Sequence, residues 1–225
     1  MEDLNIICFL WNGDRWNVEA ERGFEYVNVL YHSVQRNLSL PHRFICMTNF
    51  DAENFDEGIE LLPLNAPSWK GCLPKLCMFD PSLGLTGRVF SLDIDVIITG
   101  SLDEMASCQS DMIVRASFAD PRSLDGDIVG FKITPKIAEK VWVPLKKNPA
   151  KAEAFTGGRE RYWYRLVFSN KIDTYQKLYP NQLASYKKHL RFKQYLPECI
   201  RIVSCHGRPR PHELSEKWAI TNWRI

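Results

Sequence analysis

The sequence lacks the short motifs by which several common classes of protein are identified. It contains no Gly-x-Gly-x-x-Gly and no Gly-x-x-x-x-Gly-Lys-[Ser/Thr], which excludes the usual dinucleotide fingerprint and the P-loop. Its seven cysteines include no Cys-x-x-Cys pair, and most of them lie in apolar runs, so we expect buried thiols and neither disulfides nor a zinc site. No Ser-His-Asp or Cys-His pattern of a nucleophilic enzyme is recognisable.

Charge and hydrophobicity are also unremarkable. The chain has 29 Lys and Arg against 27 Asp and Glu, a formal charge of +2, which gives no reason to expect a nucleic-acid binder. No apolar run approaches membrane-spanning length, and the N-terminus has neither a basic region nor a cleavage site for a signal peptide. A cytoplasmic protein of a single domain, residues 1–225, is therefore expected; the sequence does not indicate an oligomeric state.

What is present is an α/β pattern. Short apolar runs at 5–10, 43–48, 59–64, 88–92, 111–115, 128–133 and 200–205 predict strands. Helical spacing predicts helices over 23–38, 136–147 and 159–168, with a short helix at 75–79. Pro144 is expected to kink or end the second of these helices. Strands that alternate with helices predict an α/β fold.

The most informative stretch is 88–104, RVFSLDIDVIITGSLDE, in which Asp93 and Asp95 follow a buried strand. Residues two apart on an extended chain point the same way, so both carboxylates can converge on one hard cation such as Mg²⁺ or Mn²⁺. Ligands of α/β proteins bind at the carboxyl edge of the sheet. The alternative is a solvated turn with two acids, which Asp-x-Asp alone would favour.

Two further groups of polar residues suit a diphosphate. The last predicted strand leads into His206, Gly207, Arg208 and Arg210, which we interpret as a metal ligand followed by a phosphate clamp. A lone histidine would more often be structural. Lys70 and Lys75 precede the Asp-x-Asp strand, and they are either diphosphate-neutralising cations or a solvated helix end. A hard metal, a diphosphate and a small polar substrate together indicate transfer of a group from a nucleoside diphosphate.

These motifs resemble a known family. SLDIDVIITGSLDE resembles the Asp-x-Asp strand of GT-A glycosyltransferases, and CHGRPRPHE resembles the C-terminal motif of glycosyltransferase family 8, the glycogenin and galactosyltransferase-like group. With FEYVNVLYHSVQRNL, PHRFICMTN, LPKLCMF and ASYKKHLR, the chain is similar to small stand-alone members from bacteria and from large DNA viruses of algae. The resemblance implies one GT-A, Rossmann-like domain whose mixed, mostly parallel central sheet is flanked by helices.

The resemblance also implies roles for individual residues. Asp93, Asp95 and His206 would bind Mn²⁺ or Mg²⁺. The nucleotide-sugar donor, a UDP-sugar, would contact a set spread along the chain: Trp11, Asn12, Gly13, Lys75, Asp93, Ile94, Gly207, Arg208 and Arg210. Within that set Trp11 would form a wall of the nucleobase site. Arg210 stands where the family has a lysine, so a planar guanidinium with several donors replaces a single ammonium group.

The chain departs from the family on the sugar side. Many relatives carry a Gly-Asp-Gln-Asp-like segment before a late helix, where this chain has TGGRER at 156–161. Glu160 stands in for the missing group, or the site is rearranged. Asp125, Asp127 and Lys187 are further candidates for the sugar and acceptor side, and we take Glu160, Asp127 and Asp125 as the candidate catalytic residues.

The predicted function is that of a metal-dependent, hexosyltransferase-type glycosyltransferase. It would move a sugar from the donor to a hydroxyl of a glycan or glycoconjugate acceptor, with retention as the family's default. One alternative is a sugar-phosphate nucleotidyltransferase, although WNGDRW at 11–16 is a poor match to the Gly-rich basic loop of such enzymes. The other is a non-catalytic carbohydrate-binding domain on the same scaffold.

Overall fold

The structure is a computed structural model that describes residues 2–13, 20–66, 68–169 and 172–225. Its strands, numbered along the chain, are β1 Leu4–Leu10, β2 Arg43–Thr48, β3 Ile59–Pro63, β4 Arg88–Leu92, β5 Val96–Ile98, β6 Met112–Ala116, β7 Leu124–Lys132, β8 Asp173–Thr174, β9 Leu183–Ser185 and β10 Ile202–Ser204. Its α-helices are α1 Ala20–Asn37, α2 Asp103–Ala106, α3 Pro135–Lys147, α4 Pro149–Thr156, α5 Glu160–Phe168, α6 Tyr175–Leu178 and α7 Lys217–Asn222. Short 3₁₀ helices lie at Ala52–Asn54, Leu73–Phe79, Pro81–Leu83 and Pro211–Glu213, and a π-helical turn at Tyr186–Leu190.

The central sheet has seven strands in the order β3-β2-β1-β4-β7-β6-β8. Strands β3, β2, β1 and β4 are parallel to one another, β7 is antiparallel to both β4 and β6, and β8 is parallel to β6. The predicted α/β fold with a mixed, mostly parallel sheet is therefore confirmed.

Both faces of this sheet are covered. All seven residues of β1 are buried, as expected for a parallel strand with helices on either side. Successive side chains alternate between two hydrophobic clusters: Ile7 and Phe9 pack with α3 and α5, while Ile6 and Cys8 pack with α1. The helices and the sheet thus form three layers that hold the strand ends in place.

A second, three-stranded sheet begins immediately after the Asp-x-Asp segment. It has the order β5-β10-β9, with β10 antiparallel to β5 and parallel to β9. The apolar run Val96–Ile98 therefore belongs to a different sheet from β4, and the turn between the two carries both acids.

Most element boundaries agree with the sequence pattern, and two elements differ from it. Helix α3 continues past Pro144 to Lys147, because Leu145 is fully buried and its packing outweighs the hydrogen bond that proline removes. The short helix predicted at 75–79 is a 3₁₀ helix whose seven residues are all buried. No helix among the described ranges is long and apolar enough to span a membrane.

Candidate active site

The ends of β4 and β10 bring the two predicted motifs together. Val96 pairs with Ser204 in the antiparallel register of β5 and β10. Asp95 directly precedes Val96, and His206 follows Ser204 by two positions. Because β5 and β10 are antiparallel, Asp95 and His206 lie at the same end of this strand pair. The backbone N–H of Asp93 donates to the carbonyl of Asp127 at 2.8 Å, which joins this turn to β7. Residues more than 100 positions apart thus meet at one sheet edge.

Lys75 lies at the centre of the acidic side of this edge. Its ammonium group forms a salt bridge with Asp93 and lies 4.0 Å from Glu160 Oε1. A Cβ on Gly126 would lie only 2.2 Å from that carboxylate oxygen, so glycine is what allows Glu160 to approach β7. The structure therefore places the predicted donor lysine and the predicted catalytic glutamate side by side.

Backbone contacts between two loops hold Lys75 beside Glu160. The N–H of Cys72 donates to the carbonyl of Gly158 at 2.8 Å, just before the start of α5. Gly71 has φ +62°, and a Cβ there would lie 2.2 Å from the same carbonyl oxygen. Gly158 is thus explained by this close approach of two backbones, since a Cβ there would lie 3.0 Å from the Lys70 carbonyl oxygen, whereas Gly157 has φ +58° and ends α4 in a left-handed conformation.

The segment after β10 provides the second cation. Arg210 Nη1 donates to Asp95 Oδ2 at 2.7 Å. Arg208 instead pairs with Glu213, and its side chain is 80% exposed. A Cβ on Gly207 would lie 3.3 Å from Lys187 Nζ, which places that lysine beside the predicted phosphate clamp.

A buried arginine that sequence reasoning missed organises the opposite side of the site. Arg115 is completely buried, and its Nε donates to Asp127 Oδ1 at 2.5 Å. Its Nη2 lies 3.1 Å from Asp125 Oδ2 and donates to His206 Nε2 at 3.3 Å. Because a guanidinium group only donates, His206 Nε2 must accept this hydrogen bond.

The neighbours of Arg115 complete this network. Ser204 Oγ donates to the second oxygen of Asp127 at 2.7 Å, and Arg161 Nη1 donates to Asp125 at 2.7 Å. Both aspartates are therefore held by charged or polar donors. The sequence signal that could have identified Arg115 is a charge inside the apolar run MIVRA, since a charge in such a strand needs buried partners.

Burial dominates the electrostatics of the acidic side. It raises the pKa of Asp95 to about 7, with the nearby carboxylate of Asp93 adding to the rise and Arg210 opposing it. Burial likewise raises the pKa of Asp93 and of Glu160 against the lowering effect of Lys75. Burial alone would lower the pKa of Lys75, but these two carboxylates raise it well above its ordinary value. The single ammonium group of Lys75 lies beside two buried carboxylates, those of Asp93 and Glu160, so it does not balance their combined negative charge.

Asp127 differs from these acids. Burial alone would raise its pKa, but the guanidinium of Arg115 and the hydrogen bond from Ser204 outweigh burial and lower it. Asp127 is therefore held as a carboxylate.

The donor set of Asp93, Asp95 and His206 fits a hard divalent cation, because two carboxylates and an imidazole suit Mg²⁺ or Mn²⁺. In the described part of the chain, however, no three His, Cys, Asp or Glu side chains already form a metal cluster. Each of the three instead contacts a basic side chain, and a metal on His206 Nε2 would compete with Arg115. The metal site stays a prediction.

The remaining predicted donor residues lie around this edge with different exposure. Trp11 is 3% exposed and packs in the core with Phe9, with its indole nitrogen against Gly13, whereas Asn12 and Gly13 are exposed. The side chain of Ile94 is also buried in the core, so only its backbone is available to a ligand. All three residues of the predicted nucleobase loop are thus described, while residues 14–16, the rest of WNGDRW, lie outside the described residues.

Lys70 is not part of the site. Its side chain is 71% exposed and it pairs with Glu153 at 3.2 Å. The solvated alternative therefore describes Lys70, whereas Lys75 is the buried cation of the pair.

Comparison with protein-family models and with curated protein sequences finds no match. Solved structures do match. The glycosyltransferase GlyE of Streptococcus pneumoniae TIGR4 superposes with a TM-score of 0.66 at 13% identity, over 98% of this chain and 59% of that chain. The chain thus spans less than two thirds of the length of GlyE.

The galactosyltransferase LgtC, solved in complex with donor and acceptor sugar analogues, superposes with a TM-score of 0.63 at 10% identity, over 99% of this chain and 97% of that chain. An active-site mutant of LgtC gives a TM-score of 0.64 at 9% identity, over 95% of this chain and 91% of that chain. At these identities the likeness is one of fold, and the chain has the fold of GT-A glycosyltransferases.

Proposed function

We propose that this protein is a metal-dependent glycosyltransferase that moves a sugar, with retention of configuration, from a UDP-sugar to a hydroxyl of a glycan or glycoconjugate. The observation that carries the proposal is the convergence of Lys75, the Asp93–Asp95 turn and the segment from His206 to Arg210 at one edge of a GT-A sheet. A hexose is the expected sugar, by resemblance to family 8.

The donor side would bind the diphosphate. Asp93, Asp95 and His206 are the residues that would hold the divalent cation, which when bound neutralises charge on the leaving diphosphate. Lys75 and Arg210 are within reach of the same volume, since each already contacts one of these aspartates. Both would donate charge-assisted hydrogen bonds to phosphate oxygens, Arg210 as a planar fork and Lys75 as a point charge.

The sugar side would use the carboxylates beyond Lys75. Glu160 is buried between Lys75 and Gly126, so it is a carboxylate that the fold holds in one position. Asp127 is oriented by Arg115 and Ser204. We assign Glu160 to the transferred sugar, and Asp125 and Asp127 to the acceptor hydroxyl.

Calorimetry with UDP, with and without Mn²⁺, tests this proposal. Tight UDP binding that requires Mn²⁺ is the expected result, and release of UDP from a panel of UDP-sugars would then identify the donor. Preference for a nucleoside triphosphate would instead favour a nucleotidyltransferase. Binding of a glycan with no metal-linked UDP binding would favour a carbohydrate-binding domain.

The substitution Asp95→Asn sharpens the test, because it removes one charge from the proposed metal site and retains the shape of the side chain. We expect it to abolish Mn²⁺-linked UDP binding and turnover while the thermal unfolding remains cooperative. Asp120→Asn is the matched control, since Asp120 is a partly exposed acid paired with Arg122 in a surface turn. Equal UDP binding by both variants would contradict the assignment.

A further inference from the structure

The segment 187–195, KKHLRFKQY, is the most basic stretch of the surface beside the candidate active site, and we call it the basic loop. It contains four Lys and Arg residues and no acid, whereas the whole chain has 29 basic residues and 27 acidic ones. The rest of the chain is therefore net acidic. All four basic residues of the loop are exposed: Lys187, Lys188, Arg191 and Lys193.

Two aromatic side chains of the same loop face solvent. Phe192 is 83% exposed, the highest value for a large hydrophobic residue in the described ranges, and Tyr195 is 69% exposed. The Arg191 guanidinium lies 4.9 Å from the centre of the Phe192 ring. Phe192 also has φ +70°, a left-handed backbone conformation that non-glycine residues rarely adopt. Two such exposed rings three residues apart, within a basic segment, make this surface a candidate interaction site.

The base of the basic loop is firmly held. Tyr186 and Leu190 are buried in the hydrophobic cluster of the second sheet, and the Tyr186 hydroxyl donates to Glu216 at 2.6 Å. The N–H groups of Arg191 and Lys193 donate to the carbonyls of Tyr186 and Leu190 at 2.7 and 2.8 Å. The two exposed rings are thus carried by an ordered turn.

The loop borders the candidate site. Lys187 lies beside Gly207, and the ring of His189 packs edge-on against Phe118 at 5.1 Å. Phe118 in turn contacts Arg115 and His206. A surface that docks on this loop would therefore lie next to the proposed site of transfer.

We propose that the basic loop docks this protein on an anionic lipid bilayer. Lys and Arg side chains are attracted to acidic headgroups, and aromatic rings enter the interfacial layer between headgroups and acyl chains. The combination of cations and exposed rings favours a bilayer over a soluble acidic partner, because the charges alone would serve the latter and Phe192 would remain in water. The inference goes beyond the proposed transfer reaction and does not depend on it.

Co-sedimentation with vesicles tests the proposal. The full chain is mixed with phosphatidylcholine vesicles with and without phosphatidylglycerol, at low and at high salt. We expect binding only to the anionic vesicles, and weaker binding at high salt. The double substitution Lys188→Gln with Lys193→Gln should weaken that binding about tenfold or more. Phe192→Ala with Tyr195→Ala should also weaken it about tenfold or more, with no change of charge.

Matched controls lie elsewhere on the surface. Lys146→Gln with Lys147→Gln removes two exposed lysines from the end of α3, and Phe155→Ala removes a ring that is 63% exposed on α4. Both controls should bind vesicles like the wild type, and all variants should keep its unfolding temperature.

Three results would overturn the proposal. One is a wild-type protein that stays in the supernatant with anionic vesicles at low salt. Another is a Phe192 and Tyr195 variant that binds as well as the wild type, which would leave only non-specific charge attraction. The third is loop-dependent binding to a soluble anionic polysaccharide such as heparin without binding to vesicles, which would identify a soluble acidic partner.

Discussion

At the scale of single residues, Arg115 holds together the side of the candidate site that contains Asp125, Asp127 and His206. A β-bulge between Val114 and Arg115 interrupts the pairing of β6 with β7. Such bulges redirect a side chain out of the regular ladder. Here the redirected guanidinium is fully buried yet reaches Asp125, Asp127 and His206, so one charge fixes three groups of the site.

Replacement of Arg115 by Met is expected to be strongly destabilising. It leaves Asp127 buried without its charge partner, and breaking a buried ion pair in this way costs about 3–5 kcal/mol. Urea unfolding followed by circular dichroism measures the loss. Adding Asp127→Asn in the same chain should recover part of it, because the unpaired charge is then absent. A loss below about 1 kcal/mol would mean that water or another group replaces the arginine.

At the scale of elements, the loop before the 3₁₀ helix Leu73–Phe79 and the loop before α5 act as one unit. The hydrogen bond from Cys72 to Gly158 joins them, and the glycine at 71 permits the contact. Since Lys75 follows one loop and Glu160 follows the other, their relative position depends on this contact.

A comparison of Gly71→Ala with Gly84→Ala separates the cost of a positive φ from the cost of a close approach between two backbones. Both residues have positive φ, +62° and +66°, but a Cβ on Gly84 meets nothing within 4 Å. Gly84→Ala should therefore cost only the backbone strain, about 1 kcal/mol of unfolding free energy. Gly71→Ala should cost about 1–3 kcal/mol more, because the backbones must separate. Equal losses in chemical denaturation would argue against the contact.

The junction of α1 and α2 offers a pH-dependent contribution to stability. Asp103 accepts hydrogen bonds from the Ser39 N–H and hydroxyl, each at 2.8 Å. The backbone N–H, followed by the hydroxyl, holds the pKa of Asp103 below its usual range. The folded-state pKa is thus below the unfolded one, so this stabilisation is present above about pH 3.9 and is lost as the pH falls through the folded value.

The substitution Asp103→Asn tests that sign. The variant should be less stable than the wild type at pH 7, and the difference should shrink as the pH is lowered toward 3. Urea midpoints measured over this range give the comparison. A difference that stays constant with pH would show that the charge of Asp103 makes no contribution.

At the scale of the whole molecule, the candidate site lies where two sheets meet. The central sheet supplies Asp93 at the end of β4, and the second sheet supplies Asp95 before β5 and His206 after β10. The position of the imidazole relative to the carboxylates therefore depends on the packing of the small sheet.

Two buried isoleucines allow this dependence to be measured. Ile202 on β10 and Ile45 on β2 are both fully buried, so either substitution by Ala should cost about 2–5 kcal/mol in urea unfolding. Only Ile202→Ala should also weaken Mn²⁺-linked UDP binding, since β2 carries none of the proposed ligands. Similar calorimetric affinities for both variants below their unfolding temperatures would mean that the small sheet does not position the site.

The local sequence was sufficient to predict most strands and the longer helices, whereas the roles of the donor residues stay a prediction. Runs such as RFICMT and RVFSL combine apolar and β-branched residues and are followed directly by a polar residue. The strand and the sheet edge at its end could therefore be predicted together. The helices α4, α6 and α7 were not predicted, because they are short and their stability comes from packing that sequence periodicity does not reveal.

Local pattern in the sequence accounts for the alternation of strands and helices and for the polar residue types that follow β4 and β10. Only the packed structure shows that Val96 begins a second sheet, that Lys75 pairs with Asp93 while Lys70 faces solvent, and that Arg115 joins Asp125, Asp127 and His206. These contacts connect residues far apart in the chain. Their choice depends on the cost of burying each charge without a partner, which only the packed structure sets.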